Sequence, residues 1–344
     1  MDLDLVEYQE LMVKTFGDFF ARNASAEAVR SAEGTNGFDA QLWRHFVELG
    51  GPSLSIQEDA GGGGGTLVDA ALVGIESGRR LAPMPYAEAV TALRLLAGVA
   101  GSSLLTVLDP TELAVYVPEA SLSWRADDTL DGFAPWVRGG GVARFAVFVV
   151  DGRVALVDMT DSCVELSVLD NLGKLPLAMI RLTGATPMAT FDLVPGLEER
   201  ATSELRLLQA AELTGAGLQA LALGLEYVRE RKQFDRAIGS FQAIQHRLAD
   251  RVTALDAAEL LVSRAASYGD EPEMLRYYSS VALLQACEAA ELAAKESLQF
   301  FGGYGFMLEY DIHLYLRFVK SLSVLACHSS VVEDALPARL RVLS

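Results

Sequence analysis

The residues with the most chemistry to offer lie in the segment Arg231-Lys232-Gln233-Phe234-Asp235-Arg236-Ala237-Ile238-Gly239-Ser240-Phe241-Gln242. It follows one long apolar helical run and leads into another, so it reads as a corner between packed helices. Such a corner needs polar side chains only at its rim. This one sets Arg231, the phenyl rings of Phe234 and Phe241, and the amides of Gln233 and Gln242 within a few turns of each other, a set suited to an anionic, aromatic ligand. A second stretch, Gln299-Phe300-Phe301-Gly302-Gly303-Tyr304-Gly305-Phe306, ends a later helix. A plain helix stop accounts for Gly302 and Gly303, which let the chain turn and a ligand approach the main chain. It does not account for the amide and four aromatic rings around them. A third feature is Glu212, inside a run that is apolar almost all round and is predicted to be buried. Glu212, Gly215, Gln219 and Glu226 share one stripe of that helix, and a small residue one turn from a carboxylate leaves room for a ligand. The other reading of Glu212 is a solvated or ion-paired structural residue.

Long helices must position these groups. Residues 1–107 read as helical, with Leu5, Tyr8, Leu11 and Met12, then Phe38, Leu42, Phe46 and Leu49, at helical spacing. Gly61 to Gly65 read either as a phosphate-binding loop or, with no Gly-Lys-Ser/Thr following, as a flexible connection. Residues 108–196 change to short β-branched and aromatic runs. Residues 142–150, Asp151-Gly152 and residues 154–157 form a hairpin signature. From 197 to 344 the chain reads as a helical bundle: Ser203 to Arg231, Phe241 to Tyr268, Glu271 to Phe301, and a fourth helix after Asp311, a candidate N-cap. The predicted class is α+β, mostly α: an N-terminal helical domain, a small middle β domain and a C-terminal antiparallel four-helix bundle.

Bulk properties narrow the partners. A net charge of −18 repels nucleic-acid phosphates, so any anionic ligand must find local Arg clusters, and Arg far outnumbers Lys. Hydrophobic residues make up 51% of the chain, yet charges interrupt every long apolar stretch, which predicts a large interior with subunit interfaces and no membrane span. The acidic start lacks a basic leader. Cys163, Cys287 and Cys327 are scattered. They suit a reducing cytoplasm and neither a disulfide framework nor a metal site.

The Arg231 and Gln299 stretches, in that order behind helical and β segments, resemble the acyl-CoA dehydrogenases, flavoenzymes that oxidise acyl-CoA thioesters between the α and β carbons. The resemblance spans nearly the whole chain and implies FAD as cofactor. It implies that Arg231, Gln233, Phe234, Phe241 and Gln242 reach the FAD of a neighbouring subunit, and that Gln299, Gly302 and Gly303 meet its adenine side and pyrophosphate. The family's Trp-x-Thr or Trp-x-Ser, which packs on the isoalloxazine, has its counterpart in Trp136-Val137-Arg138, with Arg138 replacing the hydroxyl residue. The alternative for Trp136 is a core position. The reaction also requires a base for the α-proton, and a desolvated carboxylate serves best. In many members that base is a Glu in Tyr-Glu-Gly-Thr. The matching stretch here, Val324-Leu325-Ala326-Cys327-His328-Ser329, has Ala326 in its place. Glu204, expected in a first helical turn, and Glu212 are the candidates on the first bundle helix, and Glu212 is preferred.

The shortened β domain and the lost base resemble the bacterial heteromeric α2β2 dehydrogenases that act on steroid side chains or rings. The implied function is FAD-dependent dehydrogenation of a bulky acyl-CoA beside a homologous partner. A non-catalytic structural subunit of such a heteromer and a free-standing homotetramer are the rival expectations.

Overall fold

The computed structural model describes residues 5–104, 108, 109, 111–327 and 329–336. Helices α1 (Glu7–Asn23), α2 (Ala26–Ala32), α3 (Ala40–Glu48), α4 (Leu67–Arg79) and α5 (Tyr86–Ala100) come first. Eight strands follow: β1 (Ala114–Val117), β2 (Ser121–Trp124), β3 (Leu130–Arg138), β4 (Phe145–Val150), β5 (Arg153–Asp158), β6 (Val164–Val168), β7 (Leu177–Ala185) and β8 (Ala189–Asp192). Then come α6 (Leu197–Glu230), the short β9 (Lys232–Gln233) and β10 (Arg236–Ala237), α7 (Gln242–Ala266), α8 (Pro272–Phe301), α9 (Ile312–Ala326) and α10 (Ser329–Asp334). This is the helical, β, helical order that the sequence predicts. No helix among the described residues is long and apolar enough to cross a membrane. The chain divides into two units, one of Glu27–Ala70 and Pro83–Leu205, the other of Ala71–Ala82, the described residues up to Ala26 and those from Arg206 onward.

In the first of these units the strands form two four-stranded sheets, β1-β4-β5-β8 and β2-β3-β7-β6. The β4–β5 hairpin turns at Asp151 and Gly152, whose φ values of 49° and 76° suit a two-residue turn matched to strand twist. In β3 the pairing with β7 slips between Ala134 and Val137. Pro135 lies in that bulge, where its missing N–H costs no ladder bond, and the extra residue re-aims the side chains beyond it.

The five glycines are no flexible connection. Each amide of Gly61 to Gly65 donates to a carbonyl of the preceding turn, those of Glu58, Gln57, Ser53, Ile56 and Leu54 in order. A side chain at Gly62 would stand 2.2 Å from the Ile56 carbonyl oxygen. The loop is packed on itself and has spent the amides that a phosphate would need.

Helix α6 begins at Leu197, six residues earlier than the sequence predicts, so Glu204 is not in a first turn. Glu204 is buried and accepts from the Arg94 guanidinium at 2.8 Å through both oxygens and from Arg200 at 2.9 Å. Burial works against its charge, but the two guanidinium groups prevail and hold its pKa below the ordinary carboxylate value. A carboxylate so held is a poor proton acceptor.

In the helical unit, α6 to α9 form the expected bundle. Asp311 stands at the N-cap of α9, although its side chain makes no capping bond. Every residue of α6 from Ser203 to Gly217 is buried, as its all-round apolar pattern predicts.

Replacing Glu204 by Gln leaves Arg94 buried without a counter-charge, and unfolding by denaturant should show a loss of about 3–5 kcal/mol at neutral pH. Because its folded pKa is depressed, this ion pair stabilises above the unfolded value near 4.5 and fades as pH falls through the folded value. The Gln variant should therefore lose less further stability on acidification than the parent.

Candidate functional site

The corner between α6 and α7 is a two-residue hairpin. β9 and β10 pair Gln233 with Arg236 and Lys232 with Ala237, and Phe234 and Asp235 form the turn with φ of 53° and 62°. A left-handed phenylalanine is an uncommon and strained conformer, which glycine or asparagine would avoid. Its effect is display: Phe234 is 86% exposed. Its ring meets that of Phe241 edge-on at 6.2 Å, and the Arg236 guanidinium lies 3.9 Å from the Phe241 ring centre. Arg231, Gln233 and Gln242 are exposed beside them.

The Gln299 corner comes to the same place. The Arg231 guanidinium lies 5.6 Å from the ring centre of Tyr304. Tyr227 on α6 stacks on Phe301 at 4.1 Å, and Tyr310 closes edge-on against both. Tyr227 and Tyr310 were not among the residues expected from sequence. Their signal is weak because one lies inside a helical repeat and the other beyond a glycine turn. Gln299 is exposed, Gly302 has φ of 59°, and a side chain at Gly302 or Gly303 would meet nothing within 4 Å. The main chain is thus open to a ligand on that side. Cations, amides, ring faces and bare backbone converge on one exposed rim, and this donor set fits the adenosine diphosphate half of FAD.

Glu212 lies elsewhere on α6. It is buried, with 1% of its surface exposed. The helix there touches α4 main chain to main chain. A side chain at Gly78 would come within 2.0 Å of the Glu212 carbonyl oxygen, and one at Gly215 within 1.9 Å of the Ile75 carbonyl oxygen. The space beside Gly215 is therefore filled by α4, and the expectation that it leaves room for a ligand is corrected. The end of α4 is held again by Tyr315 of α9, whose hydroxyl donates to the Arg79 carbonyl at 2.9 Å. Burial pushes the Tyr315 phenol upward, so it remains a donor at all ordinary pH. Along the stripe Gln219 is half-buried and Glu226 exposed, so only its first half is desolvated.

In the other unit Trp136 is 59% exposed, and Phe133 is exposed on the same strand. The bulge at Pro135 puts both rings on the outer face, which removes the reading of Trp136 as a core residue. Arg138 turns inward. It is buried, donates to Glu88 at 3.1 Å and to the Met84 carbonyl at 3.3 Å, and is committed to the interior. It is no stand-in for a hydroxyl that faces a ligand. Of the Val324–Ser329 stretch, His328 lies outside the described residues, and Ala326 is buried in the last turn of α9.

A model of the acyl-CoA dehydrogenase N-terminal domain matches residues 7–98, and one of the C-terminal domain matches residues 198–335. The chain is 32% identical over 319 residues to the acyl-CoA dehydrogenase IpdE2 of Mycolicibacterium smegmatis, across 90% of this chain and 92% of that protein. The ChsE4-ChsE5 complex from Mycobacterium tuberculosis shares the fold with a TM-score of 0.86 at 24% identity, over 95% of each chain. A variant of the Tcur3481-Tcur3483 steroid ACAD gives a TM-score of 0.86 at 22% identity, over 96% of each chain.

The α4–α6 contact is the part of this geometry most exposed to mutation. Gly78→Ala and Gly215→Ala should each cost at least about 1–3 kcal/mol, the usual penalty of overpacking, because the atom in the way is main chain. Denaturant unfolding of both variants tests this, and losses below about 0.5 kcal/mol, typical of unconstrained surface sites, would mean that the helices part freely.

Proposed function

The chain belongs to the acyl-CoA dehydrogenase family of FAD-dependent oxidoreductases, and from that premise we propose that it is one subunit of a heteromeric enzyme acting on a bulky, steroid-like acyl-CoA. The observation that carries the reading is the separation of two kinds of chemistry on one helix. Arg231, just past the end of α6, is about 28 Å from Glu212 along the helix axis at 1.5 Å per residue. The exposed rim of Arg231, Gln233, Phe234, Phe241, Gln242, Gln299, Gly302 and Gly303 faces outward, where only another chain or a ligand seated on one can complete it. Tyr304, Phe306, Met307 and Leu308 extend that rim with exposed apolar surface suited to a subunit interface.

FAD, when bound, supplies the acceptor for the hydride leaving the β carbon. The chain's own residues bind and orient. Arg231 and the Gln299–Gly303 turn would hold the pyrophosphate and adenine of a flavin shared with a homologous partner, and Phe234 would pack on its ring system. In the other unit, taken by itself, exposed Trp136 offers a ring on which an isoalloxazine could pack. Glu212, buried on α6, would take the α-proton. With Arg138 turned inward to Glu88, the hydroxyl donor of the family's Trp-x-Thr has no replacement here, which favours an active centre completed by the partner. We place the assembly in the cytoplasm, where cysteines such as these three free thiols persist.

Co-purification with a homologous subunit encoded beside it should give a yellow complex whose flavin absorbance bleaches with a steroid-type acyl-CoA. Arg231→Ala should weaken FAD retention by roughly 10-fold or more, the scale of a lost hydrogen bond to charge. Glu212→Gln should keep the flavin but slow bleaching by roughly 100-fold or more. Full turnover in Glu212→Gln would make this chain a structural partner, and a yellow, reducible homo-oligomer would exclude the obligate heteromer.

A further inference from the structure

Two cysteines that lie 40 positions apart meet in the helical bundle. Cys287 is in the middle of α8 and buried, and Cys327 caps α9 and is half-exposed. Their sulfur atoms are 2.8 Å apart. A covalent bond between them requires approach by less than about 1 Å, since a disulfide spans about 2.05 Å. The two helices are already clamped side by side. One turn along α8 from Cys287, the Glu291 carboxylate accepts from Lys320 of α9 at 2.9 and 3.1 Å. The cysteines thus close the end of a seam that an ion pair holds in register.

We propose that Cys287 and Cys327 are a redox-active dithiol, in which Cys327 is the sulfur oxidised first and Cys287 the one that resolves it into a disulfide. The oxidant class is a hydroperoxide. The Cys327 thiolate attacks the terminal peroxide oxygen, the O–O bond breaks, and the departing alkoxide or hydroxide takes up a proton. Cys327 is then a sulfenic acid. Cys287 gives up its proton and attacks the Cys327 sulfur, and hydroxide leaves as water. Two thiols lose two electrons, and the hydroperoxide is reduced to an alcohol, or water, plus water. A dithiol reductant reverses the bond by exchange.

The two sites are unlike in the manner this order needs. The hydrogen bond from Cys287 lowers the pKa of Cys327, against a smaller opposing effect of burial. The same bond, then burial, pushes the Cys287 thiol upward. The more acidic sulfur is also the one a small oxidant can reach, the combination found in reactive cysteines. Oxidation also has a structural target. The chain leaving Cys327 forms α10, whose Asp334 accepts from Arg206 at 2.6 Å. Arg206 precedes Glu212 on α6 by less than two turns. A disulfide fixes the root of the segment that covers this part of α6, independently of which reaction the enzyme performs.

The test uses the purified complex, treated with hydrogen peroxide at a few equivalents, alkylated, digested and read by mass spectrometry. The expected result is a Cys287–Cys327 cross-linked peptide, lighter than its reduced parts by two hydrogens and lost with dithiothreitol, while Cys163 remains alkylated. Thermal unfolding should move upward by several degrees on oxidation and return on reduction. Cys287→Ser should let dimedone trap a sulfenic acid at Cys327, and Cys327→Ser should leave Cys287 alkylatable. Cys287 and Cys327 both staying alkylatable at a dose that oxidises Cys163 would overturn the proposal. So would dimedone trapped on Cys287 in place of Cys327.

Discussion

Two missing side chains set the geometry of the helical unit. Gly78 and Gly215 let α4 and α6 touch through their main chains, with the carbonyls of Glu212 and Ile75 where β carbons would otherwise stand. A contact of this kind has no slack. Helices that meet through long side chains can slide by rotamer changes, but two backbones cannot interpenetrate. Tyr315 then fastens the end of α4 to α9. Glu212 is consequently carried by a backbone that neighbours fix on both sides, the rigidity that its proposed role as base would call for.

The opposite end of α6 obeys a different rule. There the helix runs out of buried neighbours and the chain turns through a left-handed phenylalanine. Strain and exposure of a large ring both cost free energy, and the edge-on contact with Phe241 still leaves Phe234 86% exposed. Their combination at one turn is the mark of a segment shaped for something outside it. One helix thus joins a buried interior to an exposed rim. The proposed division of labour between unlike subunits follows from that asymmetry.

What could be read before the structure and what could not divides along locality. The Arg231 and Gln299 corners were legible because each is a run of neighbours whose polar, aromatic and glycine content does not suit a plain helix end. The all-round burial of α6 from Ser203 to Gly217 was legible from its apolar pattern. The hairpin at Asp151-Gly152 was legible from its turn residues. The Gly78–Gly215 crossing was not, since nothing near either glycine names the other. Gly61 to Gly65 misled because composition shows conformational freedom but not the carbonyls that use it up. Trp136 was ambiguous until the Pro135 bulge fixed its face. Cys287 and Cys327 looked scattered only because the α8–α9 pairing that unites them is tertiary.

For a strongly acidic chain proposed to hold an anionic cofactor, the charges around the corner pose an electrostatic question. Charges further away than about 8 Å are largely screened at physiological ionic strength. The net charge of −18 therefore matters less at any one site than the side chains within that radius. Between Arg229 and Arg236 the exposed charges are Arg229, Arg231, Lys232 and Arg236 against Glu230 and Asp235, so the local sign is positive. Arg231 lies near Tyr304 and Arg236 over Phe241, and neither forms an ion pair among the described residues, which leaves their donors for an incoming phosphate. Buried acids such as Glu204 and Glu88 are spent on Arg94, Arg200 and Arg138 inside the other unit. The chain keeps one group of arginines for structure and another for display, and the second group sits where the aromatic rings and bare glycine backbone of the Gln299 turn are also displayed.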